Sequence, residues 1–560
     1  MRNYIYLCLI LIFSAAVNAQ SNPYSIATAH PLATEAGENL LKSGGNAFDA
    51  AVAITAALAV VEPYGSGIGG GGFWLLHDAK SKKDIVIDGR ETAPLKSTAD
   101  MYLDAQGKLT RDSIDGPLAA GIPGVIAALE LISDQYGRLS FKQNLQPAIR
   151  LARQGFTPGP IYLRLAEFRK QALLASPSAA EIFLQNGSLP AEETLIIQKD
   201  LADTLEKIAV QGADIFYRGE IADRLVKGVQ QAGGIWQAED LSQYRVITRE
   251  PIRSVYNSLQ IILPPPPTSG GVVMTQILAM LENHIINQLD ESRRTHIIVE
   301  AMRRAYQDRA LYLGDPDFVD IPMSQLLDKD YARHKFQDFN FEQASISETL
   351  PTIKLSEGDN TTHFSVLDKR GNYVSATLSI NYPFGSGFVP PGTGVLLNDE
   401  MDDFSMGVGV ANVYGLVGSH ANAIEPGKRM LSSMTPLFVR DENSVLIVGT
   451  PGGSRIISML ALAVLNYADG MGANEIVSQA RFHHQYLPDV IQFEAKALSE
   501  QSQQDLKHKG HTLKALQRDY GNMQAIIWSQ QTSTVEAASD PRGEGLAIVE
   551  EVISDNEYNK

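Results

Sequence analysis

The sequence TTHFSVLDKRGNYVSATLSIN, residues 361–381, has the clearest structural pattern in the chain. Two alternating runs flank Lys369-Arg370-Gly371, and a three-residue loop with its glycine in the left-handed region predicts a β-hairpin. Pairing Asp368 with Asn372 makes the numbers of opposed residues add up to 740. One face is then mostly apolar and the other mostly hydroxylic, with the pairs Thr362/Leu378, Phe364/Ala376 and Val366/Val374 against Thr361/Ser379, His363/Thr377 and Ser365/Ser375. A shift by one residue would mix the two faces, so the pattern selects this register.

Thr361 stands at the start of the first predicted strand. It follows a polar segment, residues 342–360, which is nearly without aromatic residues and predicts a mobile surface segment. Ser379 is its expected cross-strand neighbour, and Asn381 lies just beyond. From the pattern alone, an ordinary half-buried hairpin with a Thr/Ser pair is the simpler interpretation.

Composition excludes several classes of function. The 560 residues are 44% hydrophobic and carry a formal net charge of −17 with no dominant basic stretch. This balance predicts a large core and argues against nucleic-acid binding through phosphate contacts. Because Cys8 is the sole cysteine, disulfides, thiolate metal clusters and a cysteine nucleophile are excluded from the mature body. His483 and His484 have no carboxylate at ligand spacing, so we expect a structural role for them and no metal site.

The first 19 residues predict a secretory signal peptide. Arg2 precedes an apolar stretch, residues 4–17, and the small side chains of Val17 and Ala19 predict cleavage after Ala19. That stretch is about 14 residues long, whereas a membrane-spanning helix needs about 20, so a stable anchor is the less favoured alternative. We expect the mature protein to be periplasmic or secreted.

The N-terminal region predicts two helices between residues 32 and 61, broken at Gly44 and Gly45. The run from Ala50 to Val61 reads as a buried core helix. A glycine-rich turn, residues 65–72, and a strand over residues 73–77 follow. The turn matches the G-x-G-x-x-G spacing, but it follows a helix and precedes a strand, the reverse of a dinucleotide site.

Helical periodicity dominates residues 124–310, interrupted by the proline run of residues 264–267. Three further clusters stand later in the chain. Ser432 and Ser433 are adjacent hydroxyls, the acidic run of residues 398–403 is embedded between apolar residues, and Gly452 and Gly453 follow the apolar run of residues 445–448. Paired glycines after a strand can aim backbone N–H groups at a developing oxyanion.

These motifs, in this order, resemble the γ-glutamyltranspeptidases, also called glutathione hydrolases, of the N-terminal nucleophile hydrolase superfamily. The resemblance covers about residues 25 to 545 and rests on GGNAFDAAVA, GIGGGGF, IDGRETAP, PPPPTSGG, YLGDPDF, NTTHFSVLDKRGN, LLNDEMDDFS, NVYGLVG, KRMLSSMTP, GTPGGSRI, RFHHQ and ASDPR. It implies an α/β fold, a four-layer αββα sandwich. A large fragment, residues 20–360, and a small one, residues 361–560, would form one intertwined domain without metal or cofactor.

The resemblance also implies self-cleavage of a precursor between Asn360 and Thr361. Thr361 would then be the nucleophile, with its own α-amino group as general base, since such a group has a pKa near 8. Ser379 would support it, and Gly452 and Gly453 would form the oxyanion hole. Many bacterial members have glutamine in place of Asn360, and threonine is frequent in place of Ser379.

The implied substrates are glutathione and other γ-glutamyl compounds, with water, an amino acid or a dipeptide as acceptor. Their glutamyl end carries one carboxylate and one ammonium group. The family pattern assigns the α-carboxylate to Arg90, Ser432 and Ser433, the α-ammonium to Asn381, Glu400 and Asp403, and a lid to Tyr414. Arginine suits a carboxylate because its planar fork binds both oxygens.

Two alternatives remain. One is a related acylase acting on glutaryl-cephalosporin side chains or poly-γ-glutamate, for which a free α-ammonium or a short chain matters less. Asp403 and the lid residue Tyr414 favour small γ-glutamyl substrates instead. The other is a nonenzymatic binding protein that keeps the fold, which Thr361, Gly452 and Gly453 argue against.

Overall fold

The computed structural model describes residues 22–347, 361–406, 412, 414–416 and 418–550. The predicted signal peptide, residue Asn360 and most of the predicted mobile segment lie outside the described residues. Strands are β1 (Ser25–Thr28), β2 (Gly71–Asp78), β3 (Lys83–Asp88), β4 (Ile247–Arg249), β5 (Ile252–Tyr256), β6 (Leu259–Leu263), β7 (Thr362–Leu367), β8 (Tyr373–Ser379), β9 (Leu437–Arg440), β10 (Ser444–Gly449), β11 (Phe482–His483), β12 (Ile491–Phe493), β13 (Leu513–Ala515), β14 (Gln524–Ser529), β15 (Thr534–Ser539) and β16 (Leu546–Val549).

Helices lie between these strands along the chain, singly or several in succession. They are α1 (Pro31–Lys42), α2 (Ala47–Val61), α3 (Val125–Tyr136), α4 (Phe141–Gln154), α5 (Pro160–Ala175), α6 (Pro177–Phe183), α7 (Lys199–Gln211), α8 (Asp214–Arg218), α9 (Glu220–Gln231), α10 (Ala238–Gln243), α11 (Gly270–Leu281), α12 (Glu291–Tyr312), α13 (Met323–Leu326), α14 (Lys329–Lys335), α15 (Ile456–Ala468), α16 (Ala473–Ser478) and α17 (Glu500–His508).

Two antiparallel sheets stack face to face. One has the strand order β16-β1-β7-β8-β2-β3-β4 and the other β15-β14-β10-β9-β6-β5. Helices α1 to α9 supply the core on the outer face of the first sheet, and α11, α12, α15 and α16 cover the second. The layers therefore run helix, sheet, sheet, helix, which confirms the αββα sandwich.

The hairpin has the predicted register, with Thr362 opposite Leu378 and Val366 opposite Val374. Its apolar face packs against the first helical layer. The hydroxylic face is not half-buried as expected, because it lies between the two sheets. There Ser365 Oγ donates to the Ile447 carbonyl at 3.2 Å, and Ser375 Oγ donates to the Val448 carbonyl of the same facing sheet. Buried hydroxyls are tolerated where they find hydrogen-bond partners of this kind.

The predicted pair of N-terminal helices is confirmed by α1 and α2. Asn46 caps α2, accepting hydrogen bonds from the N–H groups of Phe48 and Asp49. Every residue of α2 is buried, and the helix ends at Val61, before Pro63. The predicted strand after the glycine-rich turn is β2, two residues longer at its start.

Helical periodicity was a wrong prediction for residues 247–263, which form β4, β5 and β6. In IRSVYNSLQIIL, residues 252–263, buried and exposed residues alternate along β5, and Asn257 adopts a φ of +52° at the turn. Asparagine tolerates this region, so an alternating run interrupted by an Asn-Ser turn was the available hairpin signal.

Candidate active site

The glycine-rich turn brings the end of α2 against the open end of the β7–β8 hairpin. A Cβ added to Gly70 would lie 2.3 Å from the Ser379 carbonyl oxygen, so only glycine permits this approach. Gly71 pairs with Ser379 in the sheet. The turn therefore fixes the end of β8, where the candidate site begins.

Thr361 and Ser379 meet at this end of the hairpin. The two hydroxyl oxygens, Thr361 Oγ1 and Ser379 Oγ, are 3.2 Å apart. Asn381 donates its backbone N–H to Ser379 Oγ at 2.8 Å, which orients that hydroxyl. Thr361 is buried and has a φ of +97°, a region that a β-branched residue rarely adopts.

Gly452 and Gly453 follow β10 on the opposite wall. Their φ angles are +138° and +55°, conformations that favour glycine. A Cβ added to Gly453 would lie 2.8 Å from the ring of Tyr414. The tyrosine hydroxyl donates to the Asn381 carbonyl at 2.9 Å, so the ring spans the space between the glycines and the hairpin.

A group of charged side chains closes the third side. Arg90 donates to Asp403 Oδ2 at 2.5 Å and forms a short contact with Glu400. Burial raises the pKa of Glu400 to about 7, although Arg90 counteracts it. Burial, reinforced by Glu400, holds the pKa of the neighbouring Glu91 well above its usual range. Arg90, assigned by resemblance to a substrate carboxylate, is thus paired with two residues assigned to the ammonium group.

The predicted residues converge on one small cavity. Its volume is about 20 Å³, room for about one water molecule. Its predicted lining residues are Arg90, Thr361, Ser379, Asn381, Glu400, Asp403, Tyr414, Ser432, Ser433 and Gly453, and Leu416, Met434 and Ser454 complete it. Gly452, which precedes Gly453 in the sequence, does not itself line the cavity.

Similarity to known proteins identifies the family of this chain. A family model described as Gamma-glutamyltranspeptidase matches residues 33–550. The chain belongs to the γ-glutamyltranspeptidase family. It is 44% identical over 496 residues to the glutathione hydrolase proenzyme of Pseudomonas sp. strain A14, covering 87% of this chain and 85% of the relative. It is also 41% identical over 525 residues to the glutathione hydrolase proenzyme of Escherichia coli K12, covering 92% of this chain and 90% of the relative.

A solved structure supports the same fold. The crystal structure of cephalosporin acylase from Bacillus halodurans superposes with a TM-score of 0.84, at 26% identity, covering 98% of both chains. The resemblance inferred from the motifs is therefore confirmed.

Within the described part of this γ-glutamyltranspeptidase-family chain, no helix is both long and apolar enough to cross a membrane.

A second cavity opens on the other side of Thr361, and nothing in the sequence analysis predicted it. It has a volume of about 320 Å³, and its lining includes Glu62, Arg164, Thr361 and Arg518. Thr361 lines both cavities. In this family member the nucleophile candidate therefore lies between a small charged pocket and a larger one.

Glu62 is a buried carboxyl beside the nucleophile candidate. It accepts hydrogen bonds from Thr362 Oγ1 at 2.6 Å and from the Tyr64 hydroxyl at 3.1 Å. Burial raises its pKa from 4.5 to about 7, against the lowering effect of those two hydrogen bonds. A carboxyl at a helix end before a glycine-rich turn gives no periodic signal, which explains why the sequence analysis missed it.

Replacing Glu62 by glutamine is expected to weaken the pH dependence of stability. Because its pKa is higher in the folded chain, the folded state binds more protons, so the stability that Glu62 contributes is complete below pH 4.5 and is lost as pH rises through about 7. The shift corresponds to about 3 kcal/mol. We would compare urea midpoints at pH 5 and 8 for the uncut Thr361→Ala chain with and without Glu62→Gln. Equal pH dependence of stability in both chains would contradict a raised pKa of Glu62 in the folded protein.

His483 and His484 both bond neighbouring side chains. His483 bonds Ser458 Oγ at 2.7 Å, and His484 bonds Asp489 Oδ1 at 3.1 Å, so a carboxylate does lie near the pair. A separate buried group joins His296, Glu300 and His511. Both Glu300 oxygens there already accept from neighbouring groups: Oε1 from the Arg303 guanidinium and the Ser345 N–H, Oε2 from the Arg304 guanidinium.

Proposed function

We propose that this chain is a γ-glutamyltransferase and glutathione hydrolase whose nucleophile is Thr361. The observation that carries the proposal is the position of Thr361 Oγ1, 3.2 Å from Ser379 Oγ in a pocket that Gly453 and the Arg90 group also line. A nucleophile, paired N–H donors and charges for an amino-acid end then converge on one point.

Self-cleavage between Asn360 and Thr361 would activate the precursor. The product fragments are residues 20–360 and 361–560. A φ of +97° at threonine costs on the order of 1 to 3 kcal/mol. Because φ is defined by the preceding carbonyl carbon, cutting this bond removes the strain. The same cut frees the α-amino group that serves as general base.

The reaction proceeds through an acyl-enzyme. Thr361 Oγ1 attacks the γ-carbonyl carbon while its α-amino group takes the hydroxyl proton, and the N–H groups of Gly452 and Gly453 stabilise the oxyanion. Collapse breaks the C–N bond and returns the proton to the leaving amine. Water or the amine of an amino acid or dipeptide then attacks the ester, giving hydrolysis or transfer. Ser379 orients the nucleophile.

The charged pocket would hold the glutamyl end. The α-ammonium faces Asn381, Glu400 and Asp403, and the α-carboxylate faces Ser432, Ser433 and Arg90. Since the pocket has room for about one water molecule, the glutamyl group requires side chains of the lining to shift. The leaving group and the acceptor would use the larger cavity of about 320 Å³, whose arginine side chains suit a peptide carboxylate.

Substrate choice separates this function from the acylase alternative. Purified protein should release p-nitroaniline from γ-glutamyl p-nitroanilide much faster than from glutaryl p-nitroanilide, and glycylglycine should increase the rate. A preference for the glutaryl compound would favour the acylase instead. Failure to cleave either compound, with intact self-cleavage, would contradict both.

Export is part of the proposal. Cleavage after Ala19 would release the mature protein into the periplasm or the medium, with no stable membrane anchor and no nucleic-acid partner. N-terminal sequencing of the large fragment tests this, with Gln20 as the expected first residue.

Tyr414→Ala is expected to change the ratio of hydrolysis to transfer more than it changes acylation. The ring lies over Gly453 and reaches Asn381, so removing it opens the acyl-enzyme to water and should raise the hydrolytic share. Product ratios with glycylglycine measure the partition, and Tyr414→Phe is the matched control that keeps the ring. Reduced stability with an unchanged ratio would mean that Tyr414 is a fixed core residue. Hinge freedom for such a lid is expected from the neighbouring glycines Gly407, Gly409 and Gly415, of which the first two lie outside the described residues.

A further inference from the structure

Arg309 lies on α12, directly behind the serine pair of the charged pocket. Its Nη2 donates to Ser433 Oγ at 3.3 Å, and its Nε donates to Ser269 Oγ at 3.0 Å. Ser269 in turn donates both its hydroxyl and its backbone N–H to the Ser432 carbonyl, each at 2.8 Å. One guanidinium therefore fixes the backbone and side chain of the corner formed by Ser432 and Ser433.

The charge of Arg309 has no ionic partner among the described residues. Its side chain is buried, and its only hydrogen bonds there go to the two serine hydroxyls. Burial lowers the pKa of its guanidinium, with Tyr306 and Asp403 acting in the opposite direction. A buried cation held only by hydroxyls is costly unless an anion reaches it.

Arg90 is in the opposite situation, because Glu400 and Asp403 already bind it. When Glu400 is ionised and burial keeps Glu91 protonated, the charges of Arg90, Arg309, Glu400 and Asp403 cancel. A glutamyl end with one ammonium and one carboxylate preserves that balance. Without Arg309 the pocket would be net negative and would repel the carboxylate.

We propose that Arg309 is a positioning residue for the substrate α-carboxylate, acting through Ser433 and the Ser432 corner and supplying the charge that this carboxylate compensates. This inference rests on the proposed function. It assigns the requirement for an α-carboxylate to a second arginine, outside the cavity lining and on a helix of the large fragment.

The test compares two substrates that differ in this one group. They are γ-glutamyl p-nitroanilide and 4-aminobutyryl p-nitroanilide, which keeps the amine and lacks the α-carboxylate. Arg309→Met should lower kcat/KM for the first by about 10- to 100-fold, mainly through KM, because a charge-assisted interaction is lost. The second substrate, poor with the wild type, should lose less than about 3-fold, since it has no carboxylate to position.

Controls separate this role from a structural one. Arg309→Lys keeps the charge and should recover part of the kcat/KM that Arg309→Met loses. Ser269→Ala loosens the corner without deleting the cation, so it should show the same selectivity between the two substrates, but more weakly. Arg304→Met changes a buried arginine of the same helix that binds Glu300 instead, and should affect both substrates equally. Self-cleavage into two fragments verifies folding.

Equal losses for both substrates in Arg309→Met would overturn the inference. If that variant fails to cleave itself, the Ser269→Ala comparison decides: a selective loss supports the inference and an equal one overturns it. A wild type without γ-glutamyl anilide activity would instead contradict the proposed function.

Discussion

Thr361→Ala is expected to remain a single, inactive chain, whereas the wild type resolves into two fragments beginning at Gln20 and Thr361. In the proposed mechanism this hydroxyl is needed twice. It attacks the preceding carbonyl to cut the chain, and in the mature enzyme it attacks the γ-carbonyl of the substrate. Removing it leaves no atom at that position that can do either, so activity should fall to the assay background.

Thr362→Ala is the matched control, because the neighbouring hydroxyl bonds Glu62 Oε2 at 2.6 Å and faces away from Ser379. That chain should still cut itself and hydrolyse γ-glutamyl p-nitroanilide. A denaturing gel shows whether the chain is cleaved, and N-terminal sequencing identifies the first residue of each fragment. Two normal fragments from Thr361→Ala would contradict the assignment of Thr361 as the nucleophile. Activity in a wild-type protein that is not cleaved would contradict it as well.

The hairpin could be predicted because its information is local. Alternation over residues 361–379 fixes which side chains share a face, and a three-residue loop fixes the register. The sequence could not tell that both faces are buried, since hydroxyls such as Ser365 occur equally on a solvent face. Their burial depends on carbonyls of the second sheet, which come from distant parts of the chain.

The site was predictable to the extent that family motifs carry it. The converging lining residues came from motif positions, whereas Glu62 and Arg309 came from neither pattern nor resemblance. Buried charges have no periodicity, and their partners are set by tertiary packing. The pairing of Arg90 with Glu400 and Asp403 also needed coordinates, because sequence distance says nothing about which opposite charges meet.

Asp403 should separate small γ-glutamyl substrates from glutaryl ones. A carboxylate that faces the substrate ammonium makes a charge-assisted hydrogen bond of about 1.5 to 3 kcal/mol, and an unpaired ammonium costs a comparable amount. Asp403→Ala should therefore lower kcat/KM for γ-glutamyl p-nitroanilide by about ten- to several-hundred-fold. The glutaryl compound, a poor wild-type substrate, should lose far less because it has no ammonium to pair.

The two-by-two comparison of enzyme and substrate is needed because Asp403 also bonds Arg90 at 2.5 Å and accepts from Asn412 at 3.1 Å. Freeing Arg90 disturbs both substrates alike, so the ratio of the two losses isolates the coupling between Asp403 and the amine. Asp403→Asn keeps the shape without the charge and should retain the selectivity of the loss. The loss in Asp403→Ala should depend on the amine of the substrate, whereas the loss in Arg309→Met should depend on its carboxylate. Equal losses for both substrates in Asp403→Ala would mean that this residue only supports the fold.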